Sequence, residues 1–220
     1  MSDARTKAPT SNVREFRPLG PVGGFVTSRV NALLSSRARS STTAALARLR
    51  ANIGRVPGVD ATIWDATMAG VPGKPFDDSP TAEEWAAHVA LTLFALHQQG
   101  SDTPMHSQGS GFGSAVRQLS DRTDTVAEGV GPTRRRFNAL VTSATFSELS
   151  YHLRSAIKQL RGAGIALDYG RLADDLFYFQ LPGRADGVRR AWARQYYRQF
   201  AKPTPSDETT SKANLEDQNA

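Results

Sequence analysis

The sequence predicts an all-α fold: a single compact multi-helix bundle domain with disordered termini. Three observations carry this. Apolar residues recur at three- and four-residue spacings almost throughout. No run alternates with period two, and no internal repeat is present. Helix start and stop residues fall where the periodic stretches begin and end. The 220 residues suffice for one sizeable core, whereas two domains would each be small.

Residues 1–21 are polar, interrupted by Pro9, Pro18 and Pro21, and read as a flexible N-terminal arm. Residues 22–202 are the helical domain, and residues 203–220 are an acidic, disordered tail. Phe25, Val26, Val30, Leu33 and Leu34 mark a first helix. A Ser/Thr cluster at residues 40–43 caps a second, which carries Leu46, Leu49 and Ile53. A short third helix near residues 61–69 holds Ile63, Trp64 and Met68, and residues 71–80 form a loop. Thr81-Ala82-Glu83-Glu84 is a capping box, opening a helix through Trp85, Val89, Leu93 and Leu96 to Gly100. After a loop at residues 101–111, Val116 and Leu119 mark the next helix, and residues 123–131 link it to one that starts at Pro132 and carries Phe137, Leu140 and Val141. Residues 145–161 follow, ended by Gly162 and Gly164. A helix from Asp168 carries Leu172, Leu176, Phe177 and Phe179, and Pro182-Gly183 separates it from the last, residues 185–202.

The formal charge is +6 with a pI near 10. The tail contributes −3, which leaves +9 on residues 1–202. Residues 13–55 hold eight arginines against Glu15 alone, whereas residues 56–110 hold Lys74 against Asp60, Asp65, Asp77, Asp78, Glu83, Glu84 and Asp102. The molecule is therefore electrically bipolar. The absence of cysteine excludes disulfides, thiolate nucleophiles and thiolate metal sites, and fits a reducing cytoplasm. The longest apolar stretch, residues 85–96, is interrupted by His88 and too short to span a bilayer. These features predict a soluble cytoplasmic protein.

Two helices carry basic rows set away from their apolar faces. In residues 185–202 the row is Arg190, Arg194 and Arg198, with Val188, Trp192, Tyr196 and Phe200 roughly opposite. In residues 145–161 the row is Tyr151, Arg154, Lys158 and Arg161, and Phe146, Leu149, Leu153, Ala156, Ile157 and Leu160 face the core. Each helix has one acid, Asp186 or Glu148. Like charges at helical spacing cost a few tenths of a kcal/mol, and a polyanionic partner offsets that cost. Nucleic acid is the first candidate, against an arginine-rich surface with no partner.

Sites of chemistry are weak by comparison. Gly109-Ser110-Gly111-Phe112-Gly113 precedes a helix bearing Arg117, but no strand precedes it and no Gly-Lys-Ser/Thr occurs. It reads first as a flexible loop and second as a contact for a nucleic-acid backbone. His88, His97, His106 and His152 are too scattered for a metal pair. Asp174-Asp175 and Asp77-Asp78 are poor candidates for magnesium, since a nuclease gathers several acids. No catalytic residue, metal or cofactor is therefore assigned. Arg134-Arg135-Arg136 opens a helix against the macrodipole, a placement that a ligand would explain.

The order of these pieces resembles the CasB family, small subunits of the type I-E Cascade CRISPR surveillance complex. The matching stretches run from Ala45-Leu46-Ala47-Arg48-Leu49-Arg50, through Leu93-Phe94-Ala95-Leu96-His97, Met105-His106, Gly109, Arg117-Gln118-Leu119 and Arg134-Arg135-Arg136-Phe137-Asn138-Ala139-Leu140. His152-Leu153-Arg154, Leu160-Arg161, Ile165-Ala166-Leu167-Asp168-Tyr169 and Arg189-Arg190-Ala191-Trp192-Ala193-Arg194-Gln195-Tyr196-Tyr197 complete the set. The resemblance implies a non-catalytic subunit, present in paired copies beside the backbone and large subunits. With them it would hold guide RNA paired to target DNA and give the displaced strand a basic track, since guide pairing reads sequence while protein supplies affinity. Carried over, the implied nucleic-acid contacts are Arg48, Arg50, Arg117, Arg134, Arg135, Arg154, Lys158 and Arg161. Arg190, Arg194 and Arg198 form a second tier that faces nucleic acid or a neighbouring subunit. The competing readings are a free-standing helix-turn-helix regulator, which needs a base-reading helix and a dimer face, and a metal-dependent nuclease.

Overall fold

The computed structural model describes residues 18–35, 39–124 and 130–198. Among these the chain forms nine α-helices: α1 (Pro21–Ser35), α2 (Arg39–Ala51), α3 (Trp64–Thr67) after a 3-10 turn (Ala61–Ile63), α4 (Ala82–His97), α5 (Phe112–Thr123), α6 (Pro132–Val141), α7 (Phe146–Gly162), α8 (Tyr169–Gln180) and α9 (Ala185–Tyr197). No strand occurs among the described residues; an isolated bridge joins His106 to Leu167. The all-α class is as predicted. Most of the N-terminal arm, residues 125–129, Phe200 and the acidic tail lie outside the described residues.

The capping box closes as its sequence predicts: the Thr81 hydroxyl accepts from the Glu84 amide at 3.2 Å, and the Glu84 carboxylate accepts from the Thr81 amide at 2.8 Å. The helix it opens, α4, is buried from Ala86 to His97 on every side. A helix apolar all round must be surrounded, and α1, α2, α3, α7 and α8 pack on it. Each of its buried polar side chains has at least one partner, although His88 Nδ1 and His97 Nε2 have none. His88 Nε2 lies 3.2 Å from the Asn52 carbonyl, the Thr92 hydroxyl donates to the His88 carbonyl at 2.8 Å, and His97 Nδ1 lies 2.9 Å from the Tyr169 hydroxyl.

Two pairs of helices meet through glycine. A Cβ on Gly23 would strike the Asp174 carboxylate and the Gly170 carbonyl, and one on Gly170 would strike the Thr27 hydroxyl, so α1 and α8 pack almost backbone to backbone. A Cβ on Gly113 would strike the Trp192 carbonyl, which fixes α5 against α9. This revises the reading of the Gly109–Gly113 segment as a flexible loop or phosphate cradle. The Gly109 amide donates to Asp168 at 2.7 Å, the Gly113 amide to Gln195 Oε1 at 3.0 Å, and the Ser110 carbonyl accepts from the Asp168 amide at 2.8 Å. The loop is pinned, and those amides are occupied.

The Asp174-Asp175 pair is structural as well. The Asp174 carboxylate, in a residue 9% exposed, accepts from the Gly20 and Gly23 amides at 2.7 Å each, so it caps α1 from 154 and 151 residues away in sequence. Asp175 accepts from the Trp192 indole at 2.6 Å and ties α8 to α9. Asp77 accepts from the Ser79 amide in a turn.

Several boundaries differ from the sequence reading. The Ser/Thr cluster lies inside α2, which starts at Arg39 and leaves Ile53 on the turn beyond it. The third helix is shorter, because the Asp60 cap starts a 3-10 turn before α3. α4 stops at His97, and Gly100 turns the chain with φ +71°. α9 ends at Tyr197, just after its last core contact, the stacking of Tyr196 on Phe137 at 4.4 Å between centroids, so Arg198 leaves the helix in extended conformation.

Removing the remote cap gives a direct test. Asp174→Ala strands two inward-facing amides and should lower unfolding free energy by about 1–3 kcal/mol in urea titration, with Asp77→Ala, on an exposed turn, as the near-neutral control. A loss below about 0.5 kcal/mol for Asp174→Ala would show that the cap contributes little.

The buried histidines set a pH dependence. Burial holds the His97 imidazole down at about 4, with the Arg161 charge acting the same way, and burial also lowers His88. The unfolded chain takes up a proton near pH 6.5 that native His97 refuses, so stability is full above that value and falls as pH drops from 6.5 towards 4, with His97 accounting for roughly 1 kcal/mol by pH 5.5. The melting temperature should therefore drop between pH 7.5 and 5.5, and His97→Gln should make that slope shallower. An unchanged slope in the variant would contradict the assignment.

Candidate nucleic-acid interface

The row predicted on α7 forms because Leu149, Leu153, Ile157 and Leu160 are fully buried, which turns Tyr151, Arg154 and Lys158 outwards. Thr145 caps the helix by accepting from the Glu148 amide at 3.1 Å. Among the described residues neither Arg154 nor Lys158 has a hydrogen-bond or ion-pair partner. Arg161 is half-buried and donates to Gln99 Oε1 at 2.9 Å, joining the end of α7 to the turn after α4. Tyr151 is 74% exposed.

Across α4 from this row lies the end of α2. Ile53, Gly54 and Arg55 form one wall of a slot and Phe146, Tyr151 and Arg154 the other, with Trp85, Val89 and Leu93 of α4 as its floor. Arg48 on α2 is exposed and Arg50 half-buried. The structure thus brings α2 and α7 to two sides of one groove. Arg55 was not singled out from the sequence: it lies past the end of α2, where no helical period connects it to α7.

A second basic cluster opens α6. Arg134 Nε donates to the Tyr197 hydroxyl at 3.3 Å, and its guanidinium sits over that ring at 5.3 Å from the centroid. Arg135 donates to the Val130 carbonyl, and Arg136 reaches Gln159 Oε1 on α7 at 3.4 Å. The unfavourable placement of three arginines at a helix start has a compensation within the chain. Asp124 accepts from the Thr133 and Arg134 amides at 3.0 and 3.2 Å, putting an anion at the N-terminus. Partial burial pulls its carboxyl upwards, but these hydrogen bonds and that from Ser120 hold it below the ordinary value.

The remaining candidates sit apart. Arg117 pairs with Asp121 at 2.8 Å and lies 5.9 Å over the Tyr196 ring, so part of its charge is neutralised within α5. The Asp121 hydrogen bond raises its pKa further. Arg190, Arg194 and Arg198 are exposed on and beyond α9, which packs on α5, α6 and α8. The acids of residues 56–110 gather elsewhere. Asp77, Asp78 and Glu84 share a shallow pocket with Val56, Val59 and Trp64, and Asp65 and Phe76 are exposed in the same stretch of chain, so acids line a face of their own. The histidines are dispersed: His88 and His97 are in the core, His106 accepts from the Tyr169 amide at 3.2 Å, and His152 lies beside Glu148. No group of three metal-ligating side chains occurs among the described residues, and no helix there is long and apolar enough to cross a membrane.

Chemically these faces offer guanidinium and ammonium donors, exposed aromatic rings and an apolar slot, a set suited to polyanions with aromatic groups. The profile of the CRISPR-associated protein Cse2 family matches residues 45–197. The crystal structure of CasB from Thermobifida fusca is similar at 35% identity and a TM-score of 0.69, covering 82% of this chain and all of that one. CasB from Thermus thermophilus shares the fold at 23% identity and a TM-score of 0.58, over 81% of this chain and 99% of that one. No match is found among curated proteins.

Proposed function

The chain belongs to the CRISPR-associated Cse2 family, the CasB small subunits of Cascade, and from that membership we propose that it binds nucleic acid without catalysis. In this reading its basic helix faces stabilise the R-loop formed by guide RNA and target DNA in antiviral defence, within the cytoplasm. Paired copies stand beside the backbone and large subunits. Guide pairing supplies sequence, so the protein needs backbone affinity alone. The observation that carries the proposal is the unpaired, exposed Arg154 and Lys158 row on α7, of which Arg154 shares one groove with Arg55 on the turn after α2. Arg48, Arg50, Arg134, Arg135 and Arg161 extend it as nucleic-acid contacts, Arg117 is a weaker one because of Asp121, and Arg190, Arg194 and Arg198 serve nucleic acid or a neighbouring subunit. Membership in this family displaces the free-standing regulator. For the chain's organisation the same reading keeps residues 22–202 as the CasB-like domain, flanked by the arm and the acidic tail.

The proposal is tested by charge reversal on assembled complex. Arg154→Glu with Lys158→Glu alters exposed positions, so melting should shift by no more than a few tenths of a kcal/mol. The R-loop on matched target should dissociate several-fold faster, and the slope of log affinity against log salt should shrink by about 0.7 for each single-strand phosphate released. An unchanged R-loop lifetime with normal incorporation would exclude this row; lost incorporation would make it a subunit contact.

A companion prediction concerns chemistry. Pure protein incubated with DNA or RNA and Mg²⁺, Mn²⁺ or Zn²⁺ should leave the substrate intact over hours. Reproducible cleavage that copurifies with the chain would refute the non-catalytic reading.

A further inference from the structure

The slot between α2 and α7 has features that backbone affinity does not require. Its volume is about 370 Å³. Its floor is largely apolar, built by Trp85, Val89 and Leu93 with Thr92, and the Trp85 ring is held edge-on against Phe146 at 6.1 Å. Phosphate alone gains nothing from such a floor. At its rim Tyr151 presents most of its ring to solvent, meeting the edge of the neighbouring His152 ring at 5.5 Å. Large aromatic side chains are normally covered on at least one face. One turn further along α7, at i, i+3, stands the unpaired Arg154. No acid lines the slot. Behind the Arg55 wall Asp60, which Thr62 and Asn52 hold by hydrogen bonds, feels the Arg55 charge.

We propose that this slot is a nucleobase site: it receives one unstacked base of a single strand against Tyr151, while Arg55 and Arg154 take the flanking phosphates. An apolar cleft, a free aromatic face and cations on both rims match the alternation of flat base and anionic linker along a single strand. Bases in a duplex are already stacked and paired, and extracting one costs a few kcal/mol, so the site selects single strands over duplex. An apolar peptide fits the floor but leaves both arginines unanswered. The inference rests on the proposal that this face binds nucleic acid, and adds that the base, besides the phosphate, is recognised.

The test separates base from backbone. Full-length protein is titrated with labelled oligothymidylate and with an abasic oligonucleotide of equal length and charge, using wild type, Tyr151→Ala, Tyr151→Phe and the Arg154→Glu, Lys158→Glu variant. Wild type should bind oligothymidylate about tenfold more tightly, a typical effect of one stacked base. Tyr151→Ala should bind both at the abasic level with an unchanged salt slope, and Tyr151→Phe should keep the preference. Because Tyr151 is exposed and alanine favours helix, folding is not at stake. Equal wild-type affinity for the two, or a preference that survives Tyr151→Ala, overturns the nucleobase site while leaving backbone binding in place. Binding of neither oligonucleotide, or binding insensitive to charge reversal, overturns the nucleic-acid reading and the site together. Preferential binding of an acidic apolar peptide would assign the slot to a protein partner and overturn the site.

Discussion

Twelve successive residues of α4, Ala86 to His97, have no solvent to face, and the rest of the molecule is arranged to satisfy that constraint. A helix without a polar side must be enclosed by others, each of which brings one apolar stripe and keeps a polar face outside. α2 and α7 are two of those neighbours. The outward face of α7 and the end of α2 therefore frame one groove whose floor is α4. Internal polar groups fit the same constraint: His88, Thr92 and His97 are tolerated in α4 because Asn52, the helix backbone and Tyr169 answer them.

The enclosing helices are held by devices that cost little chain. Gly23, Gly113 and Gly170 allow backbones to touch, and Asp174 and Asp175 bind α8 to α1 and to α9. The surface is left free for charge, and charge is sorted: basic residues on α2, α6, α7 and α9, acids around Trp64 and Phe76. Such sorting leaves like charges together, which lowers stability slightly and concentrates the field that draws a polyanion.

Much of this is written in local sequence. The capping box at Thr81, the Pro132 start, the glycines at the end of α7 and the Arg154–Lys158 row depend on residues within one or two turns of each other, and each stands in the structure where its spacing puts it, whereas the row on α9 loses Arg198 because that helix ends at Tyr197. What the sequence hides is long-range. Nothing near Asp174 announces that its acceptors serve Gly20 and Gly23, so it reads as half of a weak metal pair. Gly113 reads as loop because the Trp192 carbonyl it must avoid is far along the chain. The slot joins Arg55, on the turn after α2, to Tyr151 on α7, and their proximity follows from the position of α4. The charge row was legible, whereas its partner wall was not.

The central claim is that the α2–α7 face, and not the acidic face, meets nucleic acid in the assembled complex. Photocrosslinking measures this most directly: Cascade containing this chain is loaded with target DNA carrying 4-thiothymidine through the displaced and target strands, irradiated, and the attached peptides are mapped by mass spectrometry. The account predicts adducts on α7 and on the end of α2, around Tyr151 and Arg55. Adducts confined to the segment around Trp64 and Phe76, or absent from α2 and α7 in a complex that retains its R-loop, would contradict it.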